Sequence, residues 1–164
     1  MTMRISALAI ATIFVGSGTP ALAQEHHLWQ DRGTFEPYSR TAQSITGPIT
    51  MSGNPDFAEP GSTMTISFDG GRPVELKSVG ATYRAWGLGG EVMTAETFAI
   101  QEDPGRLVQG NTLCSSPPRY IVFTDPYAGN GKLLSLAVFS GEKPPKDIDD
   151  ASLCSTFNYY PPGS

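Results

Sequence analysis

The chain has 164 residues, with 16 acidic against 11 basic side chains and a formal net charge of -5. That balance excludes a nucleic-acid partner, which needs a basic face, and the length suits one domain with a modest core. Eighteen Gly and 14 Pro, with only 16% charged residues, suit short strands separated by many turns.

The first 23 residues are expected to be a signal peptide. Arg4 supplies a positive start, residues 5–15 are apolar but too short to span a bilayer, and Ala21-Leu22-Ala23 forms an A-x-A cleavage site. Cleavage after Ala23 exposes Gln24 rather than a cysteine, so no lipid anchor and no membrane anchor is expected. Losing Arg4 takes the net charge near -6 over about 141 residues. The product is expected to be periplasmic or secreted.

Residues 24–43 are polar with scattered aromatics, Trp29, Phe35 and Tyr38 among them. They read as an extended, partly ordered lead-in. A single β domain is expected over residues 44–164. Ile45, Ile49 and Met51 point one way on a strand, interrupted at Gly47-Pro48. The cleanest strand is Thr63 to Phe68, where Met64, Ile66 and Phe68 face inward and Thr63, Thr65 and Ser67 face water. Asp69-Gly70-Gly71 turns it into Val74-Glu75-Leu76-Lys77. Gly80 breaks that strand, residues 81–86 read as a short strand or bend, and Gly87-Leu88-Gly89-Gly90 reads as a loop.

Residues 96–101 alternate as a strand. Asp103-Pro104 has the pattern of a helix start, with Asp103 as cap and Gly110 as stop, which predicts a short helix over residues 104–109. Tyr120 to Phe123 and Leu133 to Phe139 are apolar on both faces, so both strands are expected to be central and covered from both sides. Asn130-Gly131 is a tight-turn dipeptide between them. Residues 140–152 read as a polar loop, and Leu153, Phe157 and Tyr159 as the inner face of a last strand. The sum is an all-β fold: a small antiparallel barrel or two-sheet sandwich of about seven strands, with one short helix.

Two cysteines in an exported chain are expected to pair. A Cys114–Cys154 bond would close a loop of about 41 residues, for which chain entropy gives roughly 4 kcal/mol.

The motifs that carry chemistry are mostly missing. The two histidines, His26 and His27, fall in the N-terminal lead-in, which argues against a Ser-His-Asp or Cys-His machine in the folded body. No G-x-S-x-G or S-x-x-K is present. Gly87-Leu88-Gly89-Gly90 does not match a nucleotide loop and lacks its strand–turn–helix setting. Glu102 and Asp103, or Asp147, Asp149 and Asp150, would be the carboxylates of a glycosidase-like pair. Asp147 also begins a calcium-loop pattern, but Ser152 stands where Gly is needed and Asn158 where Glu is needed, so a solvated acidic loop is the expectation. Tyr83, Trp86, Tyr127, Tyr159 and Tyr160 either form a recognition surface or fill core and rim, with filling the expected role.

The C-terminal third carries Gly110-Asn111, Leu113-Cys114, Arg119-Tyr120-Ile121-Val122, the run Leu134 to Gly141, and Leu153-Cys154-x-Thr156-Phe157-x-Tyr159. In these residues the chain resembles a loose family of short, exported, uncharacterised bacterial β proteins. The resemblance extends weakly to Ser44-Ile45-Thr46-Gly47-Pro48-Ile49. It implies cysteines, strands and turns, but no activity. In size, acidity and single bridge the chain is also generically similar to small periplasmic β-barrel inhibitors of lysozyme, without their binding-loop motif.

The functional expectation is therefore a non-catalytic binding or interaction module of the cell envelope, inhibitor-like in character, and not an enzyme. Its expected partner is a cationic protein or peptide. The alternative is a carboxylate-based hydrolase acting on envelope glycans. No cofactor is expected. One metal site is offered by the N-terminus: Gln24-Glu25-His26 as a mature N-terminus would present an amine, two amides and the His26 ring to Cu(II) or Ni(II), with His27 as an axial or bridging contact. Cyclisation of Gln24 would abolish it.

Overall fold

The computed structural model describes residues 25–129 and 131–164. The predicted signal segment, Gln24 and Asn130 lie outside the described residues. Eight strands close into one antiparallel barrel: β1 (Gly33–Pro37), β2 (Ile49–Gly53), β3 (Thr63–Phe68), β4 (Val74–Ala85), β5 (Val92–Ile100), β6 (Tyr120–Thr124), β9 (Leu134–Phe139) and β10 (Leu153–Tyr160). Between β6 and β9, β7 (Tyr127–Ala128) and β8 (Gly131–Lys132) form a separate small hairpin. Each barrel strand pairs with the next in sequence, and β10 closes the ring on β1 through Glu36–Tyr160 and Pro37–Tyr159. This is an up-and-down barrel of the size whose interior side chains fill completely.

The alternation read in β3 is the alternation observed. Met64, Ile66 and Phe68 are buried, and Leu76, Phe98, Ile121, Phe123, Leu136, Val138 and Phe157 meet them inside. The bridge is present: Cys114 and Cys154 are joined, with 5.3 Å between their Cα atoms.

Four expectations change. The lead-in expected over residues 24–43 is, over its described residues 25–43, part of the domain: Phe35 and Trp29 are fully buried, and β1 is the strand that closes the barrel. A lone apolar Phe35 between polar neighbours gives too little period for sequence to reveal it. The strand expected from Ser44 begins only at Ile49, because residues Ala42–Thr46 form a wide helical turn that ends at Gly47 with φ 59°. Gly80 does not end its strand. It makes a bulge at φ 122°, and β4 runs on through Ala85. The helix over residues 104–109 is reduced to one 3-10 turn at its far end, Val108–Gly110. Asp103 does cap a backbone N–H, that of Gly105 at 2.8 Å, but Gly105 at φ 81° leaves the helical path at once.

β6 and β9 are covered on both sides, as their composition requires. Their inner residues belong to the barrel core. Their outer residues Val122, Ala137 and Phe139 pack with Ala95, Trp86 and Ile148 in a second cluster. That outer cluster positions the site.

Candidate functional site

The β4–β5 hairpin is longer than the barrel needs. β4 pairs with β3 only over residues 74–77, and β5 with β6 only over residues 96–99, yet β4 and β5 pair with each other out to Ala85–Val92. The extension is anchored over the outside of the barrel. Trp86 sits edge-on to Phe139 (centroids 6.3 Å apart, planes at 79°), and its indole N–H donates to the Thr82 hydroxyl at 2.9 Å. Ile148, from the segment after β9, inserts into the same cluster, and its N–H donates to the Ala85 carbonyl at 3.1 Å. At the tip, the Glu91 carboxylate accepts from the Gly89 N–H at 2.9 Å, which tightens the turn.

A groove of about 720 Å³ lies between this hairpin and the barrel wall. Its floor is the outward row of β6, β9 and β10: Val122, Thr124, Ser135, Ala137, Thr156 and Asn158. One wall is the hairpin, with Tyr83, Trp86, Leu88 and Val92. The far end is closed by Tyr127 of the β7–β8 hairpin, and Tyr38 flanks the floor. Seven large hydrophobic residues are exposed on the described surface, and five of them, Tyr38, Tyr83, Leu88, Val92 and Tyr127, line this one groove. Scattered exposed apolar residues are ordinary, but their concentration in a concave site marks an interaction surface.

The charged end of the groove is built on Asp125, the first residue past β6 and mostly buried. Lys132 donates to it at 3.0 Å and lies 5.6 Å above the Tyr127 ring. Partial burial opposes the Lys132 charge, but the hydrogen bond and negative charge of Asp125 outweigh it and hold the ammonium above the ordinary lysine range. The same carboxylate faces His27 Nδ1 at 3.3 Å. His27 stacks flat on Trp29 at 4.3 Å, tilts against Phe57, and is 1% exposed. Its Nε2 is buried and has no hydrogen-bond partner among the described residues.

Directly beneath, Trp29 plugs the barrel end. Its indole N–H donates to Glu96 Oε2 at 2.9 Å, and the Ser78 hydroxyl donates to Glu96 Oε1 at 2.6 Å. Glu96 is fully buried inside the barrel. Sequence reasoning missed both Glu96 and the His27 packing. The signal for Glu96 was its parity: on β5 it shares a face with Phe98, which points inward.

Of the residues singled out from sequence, Tyr83, Trp86 and Tyr127 meet in the groove. Tyr159 is core, its hydroxyl bonded to Thr46, and Tyr160 packs against Tyr38 outside it. Glu102, Asp103, Asp147, Asp149 and Asp150 do not line the groove. Asp147 and Asp150 instead cap their own loop: Asp147 accepts from the Asp149 N–H, and Asp150 from the Ser152 hydroxyl and N–H. Those two Ser152 bonds hold the Asp150 carboxyl below its ordinary pKa. His26 is exposed and bonds Asp31 at 2.8 Å. Gln24, the other half of the proposed N-terminal metal site, lies outside the described residues, and His27 is buried with its ring facing Asp125. No group of three or more His, Cys, Asp or Glu side chains is placed to hold a metal among the described residues.

The chain matches no family model, no curated protein and no solved structure.

Proposed function

We propose that this protein is a non-catalytic binding module of the cell envelope and that the outer groove is its ligand site. The single observation that carries this reading is the gathering of five exposed large hydrophobics, with Trp86, over a floor of small apolar and hydroxyl side chains. Such a surface offers stacking and apolar contact with a few convergent hydrogen bonds. Export through a cleaved signal peptide agrees with the disulfide, which persists in oxidising compartments, and with the absence of any long apolar helix among the described residues. The inhibitor-like character follows from the same design, a rigid barrel presenting aromatic anchors at a groove. The carboxylate-based glycan hydrolase is the less favoured reading, because the acidic residues that suggested it sit outside the groove.

The test compares wild-type protein with a Tyr83→Ser, Leu88→Ser, Tyr127→Ser variant as bait in the exported fraction. Both should share one circular-dichroism spectrum, and only wild type should retain a ligand. Equal retention by both, or hydrolysis of envelope glycan by wild type, overturns the reading.

A further inference from the structure

A closed barrel has no free strand edges where every strand is paired on both sides, and at the groove this one leaves part of β5 unpaired. The ladder between β5 and β6 begins at Glu96–Phe123. Beyond it β6 ends at Thr124, and the chain turns away at Asp125-Pro126 into the β7–β8 hairpin. β5 continues without it, out to Val92.

The direction of the unpaired groups follows from the ladder itself. The Ile100 N–H donates toward β6, to the Arg119 carbonyl at 2.9 Å, whereas the Gln101 N–H donates toward β4, to the Glu75 carbonyl at 3.1 Å. Alternation along β5 then turns the N–H and C=O of Thr94 and Val92 to the β6 side. Both residues line the groove, and neither bonds another strand on that side among the described residues. The groove's charge is unbalanced as well. Lys132 is the one lysine or arginine that lines it among the described residues and is paired to Asp125, and neither Glu25 nor Glu91 forms an ion pair there.

We infer that the ligand is an extended peptide segment carrying basic and apolar side chains, which docks by adding a strand to the open edge of β5 at Val92–Thr94. This rests on the groove being the ligand site. Main-chain bonds to Val92 and Thr94 supply register, Tyr83 and Tyr127 flank alternate side chains, and Glu25 and Glu91 receive the positive charges. Binding consequently weakens as salt rises.

The probe is a random heptapeptide library displayed on phage, panned against the disulfide-intact protein, with the enriched peptides resynthesised. Basic, apolar sequences should enrich. N-methylation at alternate peptide positions should weaken binding about tenfold each, the scale of one lost hydrogen bond, while the intervening positions tolerate it. Exchange of the Val92 and Thr94 amides should slow on binding. Thr94→Pro removes an edge donor without breaking the β4 ladder and should weaken binding comparably. If that variant does not fold, the N-methyl scan reads the same edge. Enrichment of acidic peptides, no enrichment, or an N-methyl scan without alternation overturns strand addition. If enriched peptides still bind the Tyr83→Ser, Leu88→Ser, Tyr127→Ser variant at full strength, the groove reading falls with it. If that variant loses them while the N-methyl scan is flat, the groove stands and the edge does not.

Discussion

The indole N–H of Trp29 and the carboxylate of Glu96 meet at 2.9 Å inside the barrel, 67 residues apart in sequence. The bond explains why a segment that reads as a polar lead-in is integral to the fold. Glu96 needs a donor on each oxygen, because a buried carboxylate without partners is costly. Ser78 supplies one and Trp29 the other.

Trp29→Phe should therefore cost about 2–4 kcal/mol, since it removes a hydrogen bond to a buried carboxylate and part of an aromatic plug. Glu96→Gln should cost less, because the amide keeps the shape and still accepts from Trp29. Urea denaturation of the single and double variants checks this. Strictly additive losses would mean that the two residues do not act as a pair.

Tyr159 is buried, and burial raises its pKa well above the ordinary value of 10.0. The Thr46 hydroxyl donates to the Ala42 carbonyl at 3.0 Å, so the tyrosine must donate to Thr46. Above pH 10 the unfolded tyrosine ionises while the folded one keeps its proton. The unfolded state then binds fewer protons, and stability falls as pH rises. Below that range the group contributes no slope. Tyr159→Phe should cost about 1 kcal/mol at neutral pH and flatten the alkaline limb of a stability-versus-pH curve. An unchanged alkaline slope would remove Tyr159 as its cause.

The disulfide joins the start of the β6 approach to β10, across 40 residues of separation. Replacing both cysteines with Ala should lower stability by about 2–4 kcal/mol while leaving the barrel folded. Guanidinium denaturation with and without reductant measures it, and reductant should have no effect on the variant.

What sequence made legible depended on period. β3, with Met64, Ile66 and Phe68, and the doubly apolar β6 and β9 could be read because their apolar residues recur at fixed spacing and their composition matches burial on one or both faces. β1 could not be read, because Phe35 alone supplies no period and its place as the closing strand is set by β10, at the far end of the chain. The groove was half legible. Tyr83, Trp86 and Tyr127 stood out as aromatics, but only the fold brings two hairpins 40 residues apart over one face. The Val92–Thr94 edge was invisible, since it exists only because β6 leaves the ladder at Asp125-Pro126.

The groove wall is held by an inserted side chain as well as by Trp86. Ile148 is 5% exposed, packs into the cluster that contains Trp86, and donates its N–H to Ala85. Ile148→Ala should cost about 2–4 kcal/mol through the cavity it leaves. Because the second cluster is separate from the barrel core, the loss should be local. Hydrogen exchange should accelerate at the amide of residue 148 and along the outer part of the β4–β5 hairpin, and remain slow at Ile121 and Phe123 in the core. Peptide binding should weaken together with the wall. Uniform acceleration across the barrel would mean that the outer cluster and the core are one cooperative unit, and that the hairpin is no independent wall.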